Sequence, residues 1–125
     1  MNVSLEGEWA GVENLITRKD PQGRVWGPDQ RVDRETALRI ATQNGANYVL
    51  KGERLGSIEP GKLADLVVLD RDYMTIPEEE ISETRSLMTL LGGKPVFLHP
   101  DFSREYSLRP EGALISTYEE LVARR

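Results

Sequence analysis

A chain of 125 residues has the size of one domain, and 16 Lys and Arg against 21 Asp and Glu give it a formal charge of −5. Scattered, mildly acidic charge offers no electrostatic footprint for nucleic acid, and the lack of cysteine excludes disulfides and thiolate metal sites. Hydrophobic residues are only 38% of the chain, so the core is modest for its length, and no run of about 18 apolar residues is present to span a membrane.

The opening Met1-Asn2-Val3-Ser4-Leu5-Glu6 has neither the basic nor the apolar region of a signal peptide. With the missing cysteines it leads to the expectation of a cytoplasmic protein. Trp9, Val12, Leu15 and Ile16 recur at i, i+3, i+6 and i+7, which predicts a short amphipathic helix within residues 9–20, ended by Pro21-Gln22-Gly23. Val25 to Gln30 reads as an irregular loop around Gly27-Pro28. Asp33 is placed as the N-cap of a helix carrying Thr36, Ala37, Leu38, Ile40 and Ala41, with Gly45 as its C′ residue. Ala46 to Leu50 reads as one or two further helical turns.

The second half changes character. Ala64-Asp65-Leu66-Val67-Val68-Leu69-Asp70 is a short Val- and Leu-rich run and predicts a buried strand at 66–69. Pro77-Glu78-Glu79-Glu80-Ile81 reads as a polar loop or single turn. Ser86–Leu91 and Lys94–Leu98 flank Gly92-Gly93, the pattern of a β-hairpin with a primed turn. Pro95 lacks an N–H and places the second of these strands at an edge. Residues 100–110 read as loop. Ser116 with Glu119 offers a capping box for a terminal helix reaching Arg124-Arg125.

Gly56-Ser57-Ile58-Glu59-Pro60-Gly61-Lys62-Leu63 resembles a phosphate-binding G-x-x-x-x-G-K-[ST] loop, but Leu63 has no hydroxyl for magnesium. A phosphate loop opens a helix, whereas this segment leads into a strand. Pro60-Gly61 reads instead as a tight turn, Pro presetting φ and Gly accepting φ > 0.

No complete catalytic constellation emerges. His99 is the single histidine and reads as a surface residue rather than a ligand. Glu78-Glu79-Glu80 reads as a solvated charge run, Trp9 and Trp26 as core or cover residues, and Arg18 with Lys19 as a solvated helix end. Catalytic, cofactor-binding and metal-binding residues are therefore expected to be none in this chain.

Two segments carry a family resemblance: Asp33-Arg34-Glu35-Thr36-Ala37-Leu38-Arg39-Ile40-Ala41-Thr42, and the string from Gly56 through Asp70. Together with Asn14–Arg18, Pro28–Arg31, Tyr73–Pro77, the segment around Ile81 and Thr89–Lys94, they resemble the C-terminal signature of metal-dependent amidohydrolases of the amidohydrolase-3 type. The resemblance covers about residues 9–98. It implies hydrolysis of non-peptide C–N bonds by a (β/α)₈ barrel enzyme with a small β-sandwich built from both chain ends.

On that reading this chain is an α+β fragment: peripheral barrel helices (1–50), a mostly antiparallel sandwich segment (51–99) and an extension with a terminal helix (100–125). The family's His-x-His pair, further histidines and barrel Asp lie N-terminal to the matched part, so Asp65 and Asp70 are sandwich residues. The resemblance implies a divalent metal such as zinc in the complete enzyme and none held by this chain. A homo-oligomer, or assembly with the missing barrel portion, is expected. A non-catalytic interaction module and one subunit of a split enzyme are the alternatives.

Overall fold

The computed structural model describes residues 7–112 of the chain. Helix α1, Gly7–Thr17, forms where the apolar spacing places it. Val12 and Ile16 are buried, and Trp9 and Leu15 pack beside them. The helix ends at Arg18, whose φ of 56° takes the left-handed C′ position while its N–H reaches the Asn14 carbonyl at 2.9 Å.

Helix α2, Arg34–Arg39, starts at the expected N-cap: the Asp33 carboxylate accepts from the Thr36 N–H at 2.7 Å. Its end differs from the sequence reading. Gly45 is not a C′ residue; its φ of −59° keeps it right-handed. The helix continues through a π turn, Ile40–Asn44, into α3, Gly45–Tyr48. Continuation buries Ala46 beneath Gly56. Leu50, at φ 58°, takes the C′ position in its place. Lys51 N–H bonds Ala46 O at 2.8 Å and Leu50 N–H bonds Asn47 O at 2.9 Å, the paired bonds of a Schellman ending.

The sheet has the order β1-β2-β3 and is antiparallel throughout. Its strands are β1, Leu66–Leu69, β2, Ser86–Leu91, and β3, Lys94–Leu98. Gly92 and Gly93 both have positive φ, 55° and 80°, as a primed two-residue turn requires. Pro95 sits on β3, at the edge of the sheet, opposite Leu90 where the register shifts. The mixed helical and antiparallel architecture is the α+β class read from the sequence.

Residues 100–110 are not all loop. Helix α4, Pro100–Glu105, forms because Pro100 presets φ at the first position and His99 caps the start, accepting the Asp101 N–H on Nδ1 at 3.3 Å. The terminal helix read at Ser116–Arg125 lies outside the described residues.

Val12, Ile16, Ala37, Tyr73 and Ile81 make the central core, where α1, α2 and the 3₁₀ turn Glu78–Glu83 meet. Ile81 is 0% exposed, worth about 1.5–3 kcal/mol of apolar burial. Glu13 fixes this turn from α1 by accepting the Ser82 N–H at 2.8 Å. The acidic run is thus followed directly by the most deeply buried large side chain of the described residues.

Candidate functional site

The Gly56–Leu63 loop is closed on itself. Glu59, Pro60, Gly61 and Lys62 form a turn with Gly61 at φ 91° and Lys62 N–H donating to Glu59 O at 3.2 Å. Lys62 Nζ donates to Ser57 Oγ at 2.6 Å and pairs with Glu59 Oε1 at 3.3 Å, and Ser57 Oγ also bonds Glu59. The Ser57 hydroxyl and the Lys62 charge hold the Glu59 pKa below its ordinary value. Only 13% of the Lys62 side chain is exposed. The lysine that a phosphate loop needs is already consumed within the turn.

Gly56 answers for the other end. At φ 90° it rests against α3 and the π turn so closely that an added Cβ would stand 2.7 Å from Ala46 Cβ and 2.9 Å from Gln43 Cα. The loop is a seated structural turn that delivers the chain into β1.

The aspartates flanking β1 fasten the neighbouring strand. Asp65 Oδ1 accepts from Gly92 N–H at 2.7 Å, and Asp70 Oδ1 accepts from Arg85 N–H at 2.9 Å. Burial pushes the Asp70 pKa upward, but the Arg85 N–H and the Arg71 guanidinium outweigh it and hold the group below its ordinary value.

A polar cleft of about 1010 Å³ lies between α1, the turn after it and the start of β2, lined by Glu13, Asn14, Lys19, Arg71, Ser82 and Arg85 among others. Its charges are largely mutually satisfied. Lys19 pairs with Glu79 at 2.8 Å, and Arg71 with Asp70 at 3.2 Å and Glu83 at 3.5 Å. Arg18 donates to Trp26 O at 3.1 Å and Gln30 Oε1 at 3.2 Å, so the basic end of α1 braces the following loop. Trp9 packs on Tyr73 with ring centroids 5.6 Å apart, whereas Trp26 is exposed and donates its indole N–H to Asp20 at 2.9 Å.

His99 is committed to capping α4. Among the described residues no three His, Asp or Glu side chains gather closely enough to hold a metal ion. The donor set of the described residues does not fit a catalytic metal.

The amidohydrolase family model matches residues 1–97. This chain belongs to the amidohydrolase family. It is 38% identical to an N-substituted formamide deformylase of Arthrobacter pascens over 62% of this chain and 14% of that protein. It is 52% identical to an imidazolonepropionase of Picrophilus torridus over 34% of the chain and 11% of that enzyme. It is 33% identical to Protein LONG AFTER FAR-RED 3 of Arabidopsis thaliana over 69% and 15% of the two chains. A solved amidohydrolase from Thermotoga maritima MSB8 aligns at 31% identity and TM-score 0.47, covering 57% of this chain and 17% of that one. The chain thus spans 11% to 15% of the length of these curated relatives. No helix among the described residues is long and apolar enough to cross a membrane.

Proposed function

We propose that the chain is the C-terminal part of a metal-dependent hydrolase acting on non-peptide carbon–nitrogen bonds. In this reading it contributes the last barrel helices and a sandwich segment, works in the cytoplasm, and leaves the metal ligands to the remainder of the enzyme. The observation that carries the reading is the family match over residues 1–97 joined to the small share of each relative that the chain spans. The occupied side chains of Lys62, Asp65, Asp70 and His99 support it, since each is engaged in holding backbone or loop structure.

The test is hydrolysis of an N-substituted formamide with added zinc, by the chain alone and by the chain mixed with the N-terminal portion of the Arthrobacter relative. Turnover only in the mixture is expected. Zinc-dependent turnover by the chain alone, lost in His99→Ala, overturns the reading. A second reading, a non-catalytic assembly module or one subunit of a split enzyme, is favoured by the apolar side chains left in solvent around α3. Tyr48 and Leu50 are each 90% exposed, with Ile58 at 87%.

A further inference from the structure

We draw no further inference here: the strongest candidate, the polar cleft between α1 and the start of β2, where the buried Thr84 hydroxyl has no hydrogen-bond partner among the described residues, carries nothing, because Lys19 and Arg71 are already paired with Glu79, Asp70 and Glu83 and nothing in the structure shows what would fill it.

Discussion

Arg34 and Tyr73 hold each other by the backbone. The Tyr73 hydroxyl donates to the Arg34 carbonyl at 2.8 Å, while the Arg34 guanidinium donates to the carbonyls of Tyr73 and Ile76 and lies 6.0 Å from the Tyr73 ring centroid. The arrangement ties the first turn of α2 to the segment after β1, so the helical and sheet halves are fixed to one another. Tyr73→Phe removes one bond and should cost about 1 kcal/mol, whereas Arg34→Ala strands two carbonyls and should cost about 2–3 kcal/mol. Urea denaturation of both single variants and the double variant checks this, and the double loss should fall short of the sum. Strict additivity would show that the two residues act independently.

The two glycines of the Gly56–Leu63 loop separate backbone strain from contact. An added Cβ at Gly61 meets nothing within 4 Å, so Gly61→Ala carries only the strain of φ 91° and should cost about 1 kcal/mol. Gly56→Ala carries similar strain and also drives a methyl into Gln43 Cα and Ala46. It should cost at least about 2 kcal/mol more and loosen α3. Thermal denaturation of the two variants side by side tests the order. Calorimetry of the parent chain with ATP should show no binding, because Lys62 is held by Ser57 and Glu59; micromolar affinity would restore the phosphate-loop interpretation.

Much of this architecture was legible because local chemistry and tertiary packing agree. The α1 face, the Asp33 cap, the Pro60-Gly61 turn and the Gly-Gly hairpin each rest on a single local rule that nothing distant opposes. Gly45 misleads because a C-terminal glycine signal competes with Ala46, whose burial rewards one more turn of helix. Ile81 is invisible to periodicity, being the lone apolar residue in a 3₁₀ turn that begins with three glutamates. The functional residues of the loop were legible only as turn formers. That Lys62 is spent on Ser57 and Glu59 depends on side-chain directions that spacing does not specify.

Leu50 holds a left-handed conformation that glycine adopts without a Cβ penalty. Its side chain is almost wholly in solvent, so its removal forfeits little packing. Leu50→Gly should therefore raise stability, by about 0.5–1 kcal/mol, at the C′ position of the Schellman ending. Chemical denaturation gives the sign directly. A loss of stability would mean that the leucine is buried against something in solution, as an interface around Tyr48, Leu50 and Ile58 requires.

The Asp20 carboxylate organises the turn after α1. It accepts from Gln22 N–H and Arg24 N–H at 2.9 Å each, from Arg24 Nε at 2.7 Å and from the Trp26 indole at 2.9 Å. The Trp26 bond chiefly lowers its pKa; partial burial opposes this and the Arg24 and Gln22 donors assist, leaving it below the ordinary value of 3.8. A carboxylate with a depressed folded pKa contributes stability that is present above its unfolded pKa and is lost as pH falls through the folded one. The parent chain should therefore lose stability as the pH drops below about 4. Asp20→Asn should be less stable at neutral pH but show a shallower acid limb, so that the two curves converge in acid. Some slope should remain, because Asp33, Asp70, Glu59 and Glu79 are also held below their ordinary values. Trp26 fluorescence in the same titration should shift in the parent and stay flat in Asp20→Asn, since the indole N–H donates to that carboxylate. Parallel stability curves for the two proteins would show that the turn is held by the Lys19–Val25 backbone bridge and not by the carboxylate.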